Sequence, residues 1–203
     1  MAKPADDKNS LRRGLAELPI LALIALLVAF VLKTFVAQAY YIPSSSMEPQ
    51  LHIGDRVIVS KLSYDLHDPH RGDIIVFPSP EDHSTDDSPL PIRFVRGILE
   101  GVGLAKPEKE ILIKRTIGLP GEVVEGRGGH VFINGRQLVE PYLPSGVVTD
   151  PFGPVTVPEG SLWVMGDNRG NSRDSRFIGP IKESDVIGRA ILKVWPPGSQ
   201  SFL

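Results

Sequence analysis

The chain has 203 residues, 41% of them apolar and 23% charged, a balance that suits a folded protein and argues against general disorder. It contains no cysteine, which excludes disulfides, thiolate metal sites and a cysteine nucleophile. A formal net charge of -2 argues against a general nucleic-acid binder, and 20 glycines with 19 prolines favour many turns between short strands over a helical bundle.

The N-terminal part differs from this average. Residues 18–32 (LPILALIALLVAFVL) carry no charge, and Lys33, Thr34 and Gln38 punctuate the next seven positions. As a helix, residues 18–39 would be about 33 Å long, enough to cross a bilayer core of ~30 Å. Lys33 lies near one end, where a long side chain can snorkel to the headgroups. Lys3, Lys8, Arg12 and Arg13 precede the apolar segment, and after Lys33 neither Lys nor Arg occurs until Arg56. The positive-inside rule therefore assigns residues 1–17 to a basic cytoplasmic tail, residues 18–39 to a transmembrane anchor and residues 40–203 to the outside. A cleavable signal peptide ending at Ala37-Gln38-Ala39 is the rival reading of the same features. Under either reading residues 40–203 fold and work outside the cytoplasm. Neither a second spanning segment nor an internal repeat is visible.

Beyond Tyr40 the pattern is that of β-structure. RVIVS (Arg56–Ser60), DIIVF (residues 73–77) and ILIKRTIG (Ile111–Gly118) are β-branched runs bounded by Gly, Pro and Asp. In HVFINGRQLV, Asn134-Gly135 separates two strand-like runs, a hairpin signal because both residues accept positive φ. SLWVMG (residues 161–166) and GRAILKVWP (residues 188–196) add two more strands. Residues 80–91 (PEDHSTDDSPLP) read as an exposed acidic loop. Ile92, Val95, Ile98, Leu99 and Val102 then recur at helical spacing, so residues 92–104 read as a short amphipathic helix. The expected fold is mainly β: an antiparallel domain with barrel-like or sandwich packing, behind one N-terminal transmembrane helix.

Several chemistries have no support. His67-Asp68-Pro69-His70 is the nearest approach to a metal-ligand pair, but it lacks an obvious third ligand, so neither a metal nor another cofactor is expected. Phosphate-cradling glycine motifs, the G-x-S-x-G elbow and S-x-x-K are all absent.

Three stretches remain. Tyr41-Ile42-Pro43-Ser44-Ser45-Ser46-Met47-Glu48-Pro49 sets three hydroxyls between prolines; its serines could cap backbone groups in a turn, or one could be a nucleophile. Lys114 stands inside a strand, on the face of Leu112 and Thr116. At an edge it would simply point to water. On a half-buried face it would lose hydration, its pKa would fall, and the neutral amine could serve a serine as base. Residues 166–176 (GDNRGNSRDSR) are too polar for a core and too patterned in charge for a linker, and read either as a solvated loop of ion pairs or as a rigid polar support for a catalytic group.

Four blocks in order then resemble the type I signal peptidases (leader peptidases) of bacteria: IPSSSMEPQLHIGD (residues 42–55), RGDIIVF (residues 71–77), IKRTIGLPGE (residues 113–122) and GDNRGNSRDSR. They span nearly the whole outer domain, and an anchor precedes them at the expected place. The resemblance implies a serine–lysine endopeptidase that removes signal peptides from translocated preproteins at the bacterial cell (inner) membrane. Carried over by motif, Ser46 resembles the nucleophile and Lys114 the general base. Ser44 resembles the oxyanion-hole hydroxyl, working with the backbone N–H of Ser46, and Ser172 the residue that orients the lysine. Asp167, Arg115, Asp174 and Arg176 resemble the ion pairs that hold the site. Ile42, Met47, Leu51, Leu112 and Ile113 resemble the shallow apolar walls that accept small side chains. The implied partners are secretory preproteins with small residues at the first and third positions before the cut, together with membrane lipid, and no nucleic acid.

Gly170 stands where the family often has an acidic or amide residue, and Gln50 where Thr is usual after Pro49. The accessory β-region of larger members is expected to be reduced here to residues 123–160. Two rival functions are a periplasmic serine protease using Ser46, His52 and Asp55, and an inactive anchored subunit that binds translocated chains.

Overall fold

The computed structural model describes residues 18–24, 26–29, 36–80, 92 and 110–203. The chain divides into two compact units, Met1–Ala37 and Gln38–Leu203. In the first, residues 18–24 and 26–29 are helical with exposed side chains. Among the described residues no helix is long and apolar enough to cross a membrane.

From Ala37 onward the described residues form short strands: β1 (Ala37–Tyr41), β2 (Arg56–Ser60), β3 (Ile74–Pro78), β4 (Ile111–Gly118), β5 (Val123–Arg127), β6 (His130–Ile133), β7 (Arg136–Gln137), β8 (Phe152–Thr156), β9 (Ser161–Met165), β10 (Ile181–Lys182), β11 (Gly188–Trp195) and β12 (Ser201–Phe202). Strands β1-β2-β11-β3-β4-β9-β10 form the larger sheet in that order, with β12 also on β11, and β7-β6-β5-β8 form the smaller one. Every pair whose register is described is antiparallel. The fold is thus mainly β and antiparallel, as the alternation of β-branched runs and turn residues requires. β2 and β4 match their sequence-based bounds; β9 and β11 end one residue earlier than theirs, and β3 is shifted by one. The β6–β7 hairpin turns at Asn134 and Gly135, whose φ values of 51° and 77° are those a tight two-residue connection needs.

Two differences from expectation stand out, and one expectation is not reached. Strand β1 takes residues 37–39, which the hydropathy pattern gives to the spanning helix; the small Ala-Gln-Ala run is apolar enough to extend the pattern but pairs with β2 instead. One-turn helices at Ser63–Leu66 and Ser175–Ile178 are too short to register as a periodicity. The acidic loop and the amphipathic helix expected over residues 80–104 lie, but for Pro80 and Ile92, outside the described residues.

Three buried apolar clusters hold the sheets. One joins Ile42, Met47 and Leu51 to Val57, Val59, Ile74, Val76, Ile113 and Ala190. A second packs the smaller sheet, through Val124, Val131 and Ile133, on Ile117, Trp163 and Met165. The third gathers Ile75, Phe77, Leu162, Val164 and Ile181, with Leu112 against it. At roughly 25 cal/mol per Å2 of apolar surface, each large side chain among them contributes about 1.5–3 kcal/mol. The first cluster lies directly under the serine-rich turn, so core packing and site geometry are one problem there.

Candidate active site

The serine-rich turn is pinned at both ends. The Ile42 N–H donates to Asp55 O and the Gly54 N–H donates to Ile42 O, each at 2.9 Å, closing the base of the loop between β1 and β2. Within it the Leu51 N–H donates to Met47 O at 2.9 Å, which brings two apolar side chains four residues apart onto one side. Met47 and Leu51 are both fully buried. They root the turn in the core, and Ser46, just before the first of them, is held at the edge of that core with 7% of its surface exposed.

Lys114 comes from β4, in register with Ile75 of β3. It is 2% exposed. Its Nζ donates to Ser46 Oγ at 2.7 Å and to Ile113 O at 2.8 Å. A strand and a turn separated by 68 positions thus bring an amine and a hydroxyl into direct contact. Burial pushes the lysine pKa down to about 8, against the carboxylates of Asp174, Glu110 and Asp167, which pull it up. Desolvation wins because β4 is buried along its length from Ile113 to Gly118. A lysine in this state supplies a neutral amine near neutral pH, which an exposed lysine does not.

Ser44 is exposed, and its Oγ lies 3.4 Å from Ser46 Oγ.

Residues 166–176 wrap the turn from the other side. The Asn168 N–H donates to Ser46 O at 3.1 Å, Asn168 Nδ2 to Ser45 O at 3.1 Å, and Asn171 Nδ2 to Ser45 Oγ at 3.0 Å. Gly166 lies so close that a Cβ built there would stand 2.4 Å from Ser46 O and 2.2 Å from Ser172 Oγ; only glycine fits. Ser172 Oγ is itself buried and has no hydrogen-bond partner among the described residues, so the contact with Lys114 that the resemblance implies is not formed here.

Arg115 with Asp167, and Arg176 with Asp174, form two ion pairs. Arg115 grips Asp167 with two parallel bonds, Nε to Oδ1 at 2.8 Å and Nη2 to Oδ2 at 2.6 Å, and its Nη1 donates to Gly72 O at 2.8 Å. Its guanidinium lies 4.0 Å from the centre of the Tyr142 ring. Arg176 holds Asp174 through Nε and Nη2 at 2.8 and 2.9 Å, while Asp174 Oδ2 accepts from the Gly166 N–H at 3.0 Å. Both ion pairs therefore fix backbone around the turn without touching Ser46. The RGD block likewise braces backbone. Asp73 accepts from Tyr64 Oη at 3.1 Å and from the His70 N–H at 2.9 Å, and the Gly72 N–H donates to Thr116 O at 2.8 Å.

The resemblance assigns five residues to substrate walls. Ile42, Met47, Leu51 and Ile113 are between 0% and 5% exposed and belong to the first core cluster, where they form the floor under the turn; Leu112 is half-buried against the third. The rival triad is not assembled: Asp55 accepts from the His52 backbone N–H and pairs with Lys193, and the His52 side chain is exposed.

One cluster has no counterpart in the sequence reading. Arg169, 2% exposed, donates Nε to Gly166 O at 3.1 Å and Nη1 to Thr149 Oγ1 at 2.9 Å, and both its terminal nitrogens engage Glu140. Tyr142 Oη donates to the same carboxylate at 2.7 Å. Arg169 sits inside the GDNRGNSRDSR block, but its partner in Val-Glu-Pro-Tyr carries no motif signal.

A family model described as "Signal peptidase, peptidase S26" matches residues 15–195. The chain belongs to this family. Among relatives, it is 40% identical over 228 aligned residues to a signal peptidase I of Mycobacterium tuberculosis, covering 97% of this chain and 78% of that one. It is 44% identical over 174 residues to a signal peptidase I of Leptolyngbya laminosa, covering 85% of this chain and 76% of that one. A crystal structure of a signal peptidase I from Enterococcus faecalis is 33% identical, with a TM-score of 0.43, and covers 61% of this chain and 97% of that one.

Proposed function

We infer that this family member is a membrane-anchored serine endopeptidase that removes signal peptides from translocated preproteins, with Ser46 as nucleophile and Lys114 as general base. The observation that carries the reading is the 2.7 Å contact between a buried, pKa-lowered lysine and a serine. In the reactive state the neutral Nζ accepts the Ser46 hydroxyl proton as Oγ attacks the scissile carbonyl carbon. The developing oxyanion faces the Ser46 N–H and the Ser44 hydroxyl; loss of one such donor costs about 3–4 kcal/mol in comparable hydrolases. The resulting ammonium then protonates the leaving amine, the C–N bond breaks, and the signal peptide stays as an ester on Ser46. Lys114, neutral again, takes a proton from the water that hydrolyses the ester.

The edge of β4 supports an extended substrate. β4 pairs with β3 from Ile111 to Arg115 but with β9 only from Arg115 onward. Among the described residues, the other edge of residues 111–114 has no strand partner. A peptide laid there would gain backbone hydrogen bonds and bring its carbonyl to the dyad. The anchor is supported by the apolar N-terminal side chains: Leu18, Ile20, Leu21, Leu23, Ile24, Leu26, Leu27 and Val28 are each 51–69% exposed, as lipid contact would require.

The test is cleavage of a preprotein, carrying small residues at the first and third positions before the cut, by purified full-length protein in detergent. Ser46→Ala and Lys114→Ala are each expected to lose at least about a thousandfold in kcat/KM while keeping the wild-type circular dichroism. Near-normal activity in either variant would overturn the dyad, and an inactive wild type would favour a binding subunit.

A further inference from the structure

An open pocket of about 460 Å3 lies beside the nucleophilic turn, with Pro49, Pro144, Val147 and Val148 among its apolar walls. Three charged residues also line it. Asp167 is taken by Arg115, and Arg169 by Glu140. The third is Glu48, two positions beyond Ser46. It is half-buried, and among the described residues its carboxylate has neither a hydrogen bond nor an ion pair. Among the described residues the pocket therefore combines an aliphatic lining with one uncompensated negative charge. That chemistry fits a side chain with an apolar stem and a cationic head, a lysine or an arginine.

Resting on the peptidase reading above, we propose that Glu48 is a specificity residue that binds a Lys or Arg within the first three residues after the scissile bond. The acyl half of the substrate uses the β4 edge, Ser44 and Lys114, and the pocket contains none of them. The leaving half is the part of the substrate left to fill it. Reach agrees: Glu48 is two positions from Ser46, at most ~7 Å between Cα atoms, and an extended substrate advances ~3.3 Å per residue. The effect acts on choice among preproteins rather than on the chemical step.

The experiment uses full-length protein in detergent and internally quenched peptides sharing one Ala-x-Ala signal half. Lys, Gln or Glu is placed in turn at the first, second and third positions after the cut. For the wild type, kcat/KM for Lys over Gln is expected to be about three- to tenfold at one position at least, to fall below about 1 for Glu over Gln there, and to shrink in roughly 0.5 M salt. Glu48→Gln is expected to bring the Lys/Gln ratio to about 1, and Glu48→Lys to favour Glu. Val148→Lys, on the exposed wall, should lower the same ratio with Glu48 intact. A Lys/Gln ratio near unity at all three positions, or an elevated ratio that survives in Glu48→Gln, would overturn the subsite while the Gln peptides, still cleaved, leave the peptidase reading standing. Wild type that cleaves none of the peptides would overturn both.

Discussion

Lys114 shows how a local environment sets a side chain's protonation. On the proposed mechanism its neutral form is the working one, and burial brings its pKa to about 8. Below that value the neutral fraction, and with it kcat/KM, should fall about tenfold per pH unit; above it the profile should level off. The check is a pH–rate profile from about 5.5 to 9.5 on a substrate without titratable groups. A midpoint near ~6.5 would point to a histidine and remove the lysine from its role. A second residue-scale contrast sets two glycines of one loop against each other. At Gly166 a Cβ would meet Ser46 O and Ser172 Oγ well inside contact distance, whereas at Gly170 it would meet nothing within 4 Å. Gly166→Ala should displace the Ser46 carbonyl, lower kcat/KM at least about a hundredfold and destabilise by about 1–3 kcal/mol. Gly170→Ala should leave activity near wild type and stabilise by roughly 0.4–1 kcal/mol, because it restricts only the unfolded chain. Thermal melts and kinetics on both variants check this, and equal behaviour would refute the role of close packing at Gly166.

At the scale of elements, the site is a turn clamped between β4 and the polar loop after β9. The clamp extends to the region between β7 and β8 through Arg169, which ties Gly166 O to Glu140 and Thr149. Both members of the Arg169–Glu140 pair are nearly inaccessible. Removing one partner of such a pair leaves a buried charge and costs about 3–5 kcal/mol. Glu140→Ala should therefore lower Tm by about 6 °C or more, and should loosen the Asn168 hold on Ser46 enough to reduce activity even where the protein is folded. A shift under about 2 °C would mean that water replaces the carboxylate at no cost. The same pair marks the limit of what the sequence makes legible. Strands such as β2 and β4 can be read because β-branched runs adjoin turn residues, Gly54-Asp55 before β2 and Gly118 at the end of β4, and Ser46 and Lys114 because their blocks are distinctive. Glu140 is one acidic residue in an irregular segment, and its role is created only when the smaller sheet packs beside β9. Ile42, Met47 and Leu51 are legible as apolar, but pattern alone does not separate a pocket wall from a floor.

At the scale of the whole molecule, the N-terminal segment makes the protein a candidate substrate of its own kind. Ala37-Gln38-Ala39 fits the small-x-small rule of the proposed function, under which a second copy could cut the chain there. The structure bears on the outcome. Residues 37–41 form β1, an edge strand paired with β2. Ile42, immediately after it, is fixed by two backbone hydrogen bonds and buried in the first core cluster. Cutting after Ala39 would require those residues to leave the sheet and enter another active site in extended form, with loss of the β1–β2 ladder. Ser46 of the same chain lies only seven positions beyond Ala39, and seven extended residues reach at most ~25 Å, most of which a reversal would consume. Residues 1–39 should therefore remain attached. Intact mass measurement of protein extracted from membranes checks this directly. A mature chain beginning at Tyr40 would show that β1 opens readily and that the apolar segment is a processed leader. A Pro43→Gly or Ile42→Ala variant, which loosens the same junction, should show more cleavage at Ala39 than wild type if sheet pairing is what protects it.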